Sequence, residues 1–286
     1  MKIAITGGKG GTGKSTISTA LAVELARKFK VMLVDADVEC PDDHIILSIK
    51  REKVRDVDVF LPCFNEEKCL KCGKCGEVCR ENAIVLIKDK FPILVSGQCN
   101  GCGACRLACP NEAISEKKQI IGNIYQGIPS FDPKIAENLI LISGEMNIGC
   151  ESSSPVVNAT LDFAYALEEK YDFLLIDTAA GTHCNVIAAL MGTDLALAVA
   201  EPTPLGKHDL NLILKLLKIL KIRSEIIVNR SDIGNLDFIY ELEVNYGINI
   251  LSEIPYTKKV IKSYSEGIPI IHEKISEVAG SLERLL

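Results

Sequence analysis

Lys2-Ile3-Ala4-Ile5-Thr6-Gly7-Gly8-Lys9-Gly10-Gly11-Thr12-Gly13-Lys14-Ser15-Thr16 opens the chain with a short apolar strand, a glycine-rich turn and the start of a helix. Read from Gly8, the stretch contains the pattern G-x-x-x-x-G-K-[ST]. Glycine lets successive backbone N–H groups turn toward one point, and the helix that follows adds its positive N-terminal end, so such a loop is built to hold an anion. In that setting Lys14 reaches the outer phosphates of a nucleoside triphosphate and Ser15 ligates Mg²⁺. A ligand-free glycine turn would need no particular flanks, yet here a strand precedes and Ile17 to Phe29 follows at helical spacing, with Leu21, Ala22, Leu25 and Ala26 on one face.

Outward from the loop the alternation of strand and helix continues. Val31 to Val34 reads as a buried strand that ends in Asp35 and Asp37, at the carboxyl end where open α/β sheets place their chemistry. Further strands are expected at Leu139 to Ile142, Phe173 to Ile176, Leu195 to Ala200 and Glu225 to Val228, and helices near Val157 to Lys170, Asp209 to Leu220 and Ile271 to Leu285. The fold class is α/β: an open, mostly parallel sheet with helices on both faces, over residues 1–60 and 120–286. Residues 61–119 interrupt it with short, cysteine-punctuated segments and are expected to form a small inserted α+β domain.

Lys9-Gly10-Gly11-Thr12-Gly13-Lys14-Ser15-Thr16 resembles the deviant Walker A motif of the MinD/ParA ATPase superfamily, which includes Mrp-type iron-sulfur carriers and the nitrogenase iron protein. The resemblance implies that Gly8, Lys9, Gly10, Gly11, Thr12, Gly13, Lys14, Ser15 and Thr16 bind ATP. It also implies a homodimer formed on ATP binding, in which Lys9 contacts the phosphates of the partner's nucleotide. Asp177 ends the apolar run Phe173-Leu174-Leu175-Ile176, as a Walker B aspartate holding Mg²⁺ would, and Thr178-Ala179-Ala180-Gly181 matches the second switch region. A helix cap is the plain alternative for such an Asp. By the same resemblance Asp37 would position the attacking water, Asp35 would join the Mg²⁺ shell, and Asn229 would read the adenine edge, although Asn after a strand is also a common turn former. Glu201-Pro202-Thr203-Pro204 with His208-Asp209 looks like the family's loop after the next strand.

Twelve cysteines are many for a chain with no signal-peptide pattern, and eight of them fall between Cys69 and Cys109. Cys69-x2-Cys72-x2-Cys75-x3-Cys79 and Cys99-x2-Cys102-x2-Cys105-x3-Cys109-Pro110 superpose at an offset of 30 residues, carrying Gly73, Ala83 and Ile84 onto Gly103, Ala113 and Ile114. Each run resembles that of bacterial-type ferredoxins, which holds a 4Fe-4S cluster with the fourth cysteine crossing to the other cluster, so residues 61–119 are expected to be an inserted ferredoxin domain with two 4Fe-4S motifs. Cluster one then takes Cys69, Cys72, Cys75 and Cys109, and cluster two Cys99, Cys102, Cys105 and Cys79. Zinc is the competing occupant of paired C-x2-C motifs. Arg80 stands where a proline is usual after the first run.

The formal charge of −6 and the absence of Trp weigh against nucleic-acid binding, and no apolar run is long enough to span a bilayer, so a cytoplasmic protein without membrane insertion is expected. Two oxidised clusters would bring the charge to about −10, which predicts a redox or iron-sulfur partner with a basic face. The favoured reading is an ATPase that couples nucleotide state to electron transfer. The alternatives are an ATP-dependent cluster carrier and a MinD-like spatial organiser. Against the last, Glu273, Glu277 and Glu283 offset Lys274 and Arg284 on the C-terminal helix. Cys184, seven residues after Asp177, and Cys150, in Gly149-Cys150-Glu151-Ser152, resemble in position the ligands of the bridging cluster in the nitrogenase iron protein, which would give a dimer an extra shared cluster.

Overall fold

The computed structural model describes every residue except Glu151 and Pro269, and only the backbone of Lys259, Ile261 and Tyr264. Eleven strands are present among the described residues: β1 (Lys2–Thr6), β2 (Val31–Asp35), β3 (Arg51–Phe64), β4 (Ile84–Val85), β5 (Ile93–Leu94), β6 (Ile114–Gly127), β7 (Leu139–Met146), β8 (Phe173–Asp177), β9 (Leu195–Ala200), β10 (Ser224–Asn229) and β11 (Ile250–Ile254). Nine of them form one sheet in the order β11-β10-β9-β1-β8-β2-β7-β6-β3, parallel from β11 to β7 and antiparallel at β6 and β3. The central strands are buried on both faces, which is why Val31-Met32-Leu33-Val34 reads as a continuous apolar run instead of an alternating one.

The helices are α1 (Lys14–Leu25), α2 (Asp43–Ile46), α3 (Lys74–Glu77), α4 (Ala104–Leu107), α5 (Pro133–Asn138), α6 (Ser154–Tyr165), α7 (Cys184–Leu190), α8 (Pro204–Leu220), α9 (Asp237–Tyr246), α10 (Lys258–Glu266) and α11 (Glu273–Glu283). Alternate strand residues separate the two faces: Ile3, Ile5, Leu33 and Leu175 pack with α1 and α11, whereas Val34, Ile176, Ala198 and Val228 pack with the helices from α6 to α9. The helix expected to have one apolar face, α1, is buried nearly all round, because it lies between the sheet and α11. The apolar stripe of α11, Ile275, Val278, Ala279 and Leu282, is likewise buried there, each of the larger side chains contributing about 1.5–3 kcal/mol. Helix α8 begins earlier than expected, at Pro204, because Thr203 caps it: its Oγ1 accepts the Gly206 amide at 3.0 Å.

β6 pairs with β7 only over Gly122–Gly127. Beyond that, β3 and β6 continue together to the Phe64–Ile114 pair as a two-stranded ribbon that carries residues 65–113 at its end. The boundaries expected at 60/61 and 119/120 therefore fall inside paired strands (Phe60 opposite Lys118, Leu61 opposite Lys117). The cysteine lobe is small: the β4-β5 hairpin, α3 and α4, the two helices starting after Gly73 and Gly103, whose φ values are +79° and +73°. Both halves of the repeat thus need the left-handed conformation that glycine adopts without penalty. Ile84, Cys105 and Ile114 form its core, with Phe60 and Phe64 of the ribbon against them. Among the described residues no helix is long and apolar enough to cross a membrane.

Candidate functional site

The glycine loop joins β1 to α1 at the carboxyl edge of the parallel strands, and its position is set by close contacts. A Cβ on Gly8 would lie 2.2 Å from the Asp209 carbonyl oxygen of α8, and one on Gly13, at φ +92°, would lie 2.3 Å from Asn229 Nδ2. Neither space admits a side chain. Gly7 accepts the Gly181 amide at 3.1 Å, which ties the segment after β8 to the loop. Lys14 is buried, with Nζ 3.5 Å from the Lys9 carbonyl, while the Lys9 side chain has no hydrogen bond or ion pair among the described residues. Lys14 is thus folded over its own loop and Lys9 is left available to something else.

Asp35 and Asp177 are register partners at the ends of β2 and β8 and both are fully buried. Asp35 accepts the amides of Asp37 and Asp43 at 3.2 Å each. Among the described residues neither carboxylate oxygen of Asp177 or of Asp43 has a hydrogen-bond partner. Burial pushes Asp177 up to about 7, with Asp42 and Asp37 adding to the rise and Ser15 and Lys14 opposing it. Burial, then the Asp177 charge, holds Asp43 well above the usual carboxylate range, and Asp35 is raised in the same way. Asp37 is half-buried and raised by burial, against the pull of Lys14. Buried carboxylates without partners are costly unless a cation meets them, so the donor set suits the Mg²⁺ expected beside Ser15 and Asp177. Asp42 and Asp43, which sequence reasoning did not single out, complete the group: Asp35, Asp42 and Asp43 each bring an oxygen within 4.8 Å of the others. Their signal was only Pro41-Asp42-Asp43 after a strand-end aspartate.

A cleft of about 470 Å³ opens beside the loop, lined by Lys14, Ser15, Thr16, Asn229, Tyr256 and His272 among others. Asn229 is on its wall, but its amide is engaged at both ends: Nδ2 donates to the Thr12 carbonyl at 2.8 Å and Oδ1 accepts the Arg230 amide at 3.0 Å. It props the loop in this conformation. Glu201, quoted for its loop, pairs with Arg230.

In the lobe the two cysteine runs exchange their fourth members. Cys69, Cys72, Cys75 and Cys109 line one cavity of about 250 Å³, and Cys79, Cys99, Cys102 and Cys105 line another of about 580 Å³. No three of these sulfurs lie within 4.8 Å of one another among the described residues. Burial pushes the Cys75 and Cys99 thiols up, and that of Cys105 to about 11. A third, smaller cavity joins Cys99 to Cys150 of the segment after β7. The end of β7 touches the nucleotide side, where the Met146 amide donates to the Val38 carbonyl at 2.8 Å, and the next residue ties the segment to the ribbon, the Asn147 amide donating to the Ile121 carbonyl at 2.8 Å. Cys150 is half-buried against the core around Val34, Ile142 and Val156 and lines a small cavity with Cys99, while Cys184 is exposed at the start of α7, so the two cysteines expected to share a cluster lie in unlike surroundings.

Residues 3–270 match the CbiA family, described as the CobQ/CobB/MinD/ParA nucleotide binding domain. An uncharacterized protein of Methanocaldococcus jannaschii is 35% identical over 268 residues, 93% of this chain and 90% of its own. The septum site-determining protein MinD of Pyrococcus horikoshii, complexed with Mg-ADP, has a TM-score of 0.60 over 99% of this chain and 96% of its own, at 19% identity, which is a likeness of fold. An uncharacterized ferredoxin of M. jannaschii is 40% identical over 70 residues, 24% of this chain and 42% of that one.

Proposed function

Since the chain belongs to the CobQ/CobB/MinD/ParA nucleotide-binding family and is an ATPase of the MinD/ParA type, we propose that its nucleotide state governs electron transfer through two 4Fe-4S clusters held by the cysteine lobe. The observation that carries this is the pair of four-cysteine cavities, each with three ligands from one run and the fourth from the other. A zinc ion with Zn–S near 2.3 Å would draw its sulfurs to about 3.8 Å from one another. No three sulfurs of either cavity are that close to one another among the described residues, and a 4Fe-4S cluster, whose chemistry is to take up and release one electron at a time, does not require them to be.

On the nucleotide side, Lys14 and the backbone of the glycine loop would hold the ATP phosphates, and Ser15 and Asp177 would hold Mg²⁺. Asp37 would orient the attacking water, and Lys9 would act across an ATP-dependent homodimer. Movement of Asp37 and Val38 with nucleotide state has a route to the lobe, because Val38 is bonded to Met146, Asn147 to the ribbon, and Cys150 borders Cys99. The decisive experiment is anaerobic purification with iron analysis, EPR, and ATPase assay. About eight irons per chain and an ATP-dependent change in cluster potential support the proposal. ATP-dependent transfer of iron to an apo-acceptor would indicate a cluster carrier, and an iron-free ATPase would indicate a MinD-like organiser, although the buried stripe of α11 offers no membrane anchor.

A further inference from the structure

The two cysteine cavities differ in surroundings. The second is set along the ribbon: Phe60 and Pro62 line it, and a Cβ on Gly101 would meet Val59 Cβ and the Phe60 carbonyl oxygen, each at 3.1 Å. Its charged lining, Arg80 and Glu81, balances. The first is at the ribbon's far end, beside Phe64 and Ile114, and its lining includes Lys71, Lys74, Lys88 and Lys90 against the single acid Asp89. All four lysines are exposed, and none is in an ion pair among the described residues; Lys71 Nζ stands 4.4 Å over the Phe91 ring. Beside them Leu70, Leu86 and Ile87 are 64%, 45% and 52% exposed. An apolar centre with a charged rim is the anatomy of a protein interface, and here the rim has one sign.

We propose that the mouth of the first cysteine cavity is the docking face for an acidic one-electron carrier protein, an inference that rests on the electron-transfer reading above. The charge of the cluster-loaded chain as a whole, about −10, predicts a basic partner. Residues 65–113 have seven Lys or Arg against six Asp or Glu, so with two clusters of about −2 each the lobe as a whole stays acidic, but at the mouth of the first cavity Lys71, Lys74, Lys88 and Lys90 outnumber Asp89 and one cluster's charge. Screening limits what a docked partner feels to about 8–10 Å, so the lysine rim outweighs the distant carboxylates. In the productive complex one electron leaves the reduced carrier and enters the group held by Cys69, Cys72, Cys75 and Cys109, with no bond or proton changing place. The second cavity, nearer Cys150 and the nucleotide site, is then the inner station.

The test compares the iron-loaded native protein with a Lys71→Glu, Lys74→Glu, Lys88→Glu, Lys90→Glu variant and with a control reversing Lys50, Lys134, Lys170 and Lys215, which are exposed elsewhere. The probe is an acidic [2Fe-2S] ferredoxin, reduced for stopped-flow kinetics and gallium-substituted for calorimetric titration; dithionite alone serves as a reductant with no docking face. The expected result is a second-order rate constant about tenfold or more lower, and weaker binding, in the rim variant at low salt, with the native rate falling steeply from about 20 to about 500 mM salt. Iron content, dithionite reduction and the remote variant should stay near native values. Equal rates, affinities and salt dependence in the rim and remote variants would overturn the docking proposal while leaving the clusters in place. Native protein without iron removes the premise itself, and the iron count shows which of the two has failed.

Discussion

Replacing Asp177 with Asn should stabilise the nucleotide-free protein by an amount that grows with pH, while abolishing ATP hydrolysis. The side chain is fully buried, and its carboxylate oxygens have no hydrogen-bond partner among the described residues. It ionises near pH 7 in the fold against 3.8 in its ordinary state. Between those values the native protein holds a proton that the unfolded chain has released, so the stability of the native state falls as pH rises toward 7 and then levels off. At about 1.4 kcal/mol per pH unit, the part of that loss lying between pH 5 and pH 8 is about 2–3 kcal/mol. Asn does not titrate. The gain of Asp177→Asn over the native protein should therefore be larger at pH 8 than at pH 5 by about 2–3 kcal/mol, and any fixed cost of burying an unpaired amide cancels in that difference. Urea unfolding followed by circular dichroism, without Mg²⁺ or nucleotide, measures it at both pH values. Adding Mg²⁺ with nucleotide at pH 8 should stabilise the native protein more than the variant, because only the native carboxylate can meet the cation. A stability difference that is the same at pH 5 and pH 8, or that grows as pH falls, would refute the reasoning, since the buried charge would then not be the source of the cost.

Lys14→Ala should lower ATP turnover by about two orders of magnitude or more while leaving cysteine-bound iron unchanged, as the loop and the lobe are separate packing units; loss of the brown absorbance in that variant would contradict the separation. Cys109→Ser should damage the cluster whose other ligands are Cys69, Cys72 and Cys75, and Cys79→Ser the other, with EPR of the paired variants Cys69→Ser and Cys99→Ser as reference spectra. If Cys109→Ser matched Cys99→Ser instead, the crossed arrangement would be wrong. Gly8→Ala should weaken nucleotide binding about tenfold or more, measured by titration calorimetry, because its Cβ would meet a backbone oxygen of α8 at 2.2 Å and the loop must shift; native affinity would show that the contact yields.

Features made by neighbouring residues were legible in the sequence: the glycine loop is a contiguous run, three cysteines of each set fall within one turn of backbone, and strands buried on both faces announce themselves as unbroken apolar runs. The α/β sheet, the glycine loop and the aspartates ending β2 and β8 follow from such local patterns. What the tertiary structure decided is what distant residues do to one another. Asp42 and Asp43 are ordinary loop acids until the turn into α2 folds them onto Asp35, within reach of Asp177, where burial changes their ionisation. Helix α1 has no exposed face only because α11 returns to cover it. Asn229 bonds Thr12, more than two hundred residues away in sequence, because β10 ends beside the loop. The charge of the chain is a sum fixed by composition, yet the four lysines at the first cysteine cavity come together only through the turns of the lobe, and a docked partner feels their field over the distance that screening allows. Spacing along the chain sets which groups can share a turn; burial, registry and local field depend on which surfaces the folded chain brings into contact.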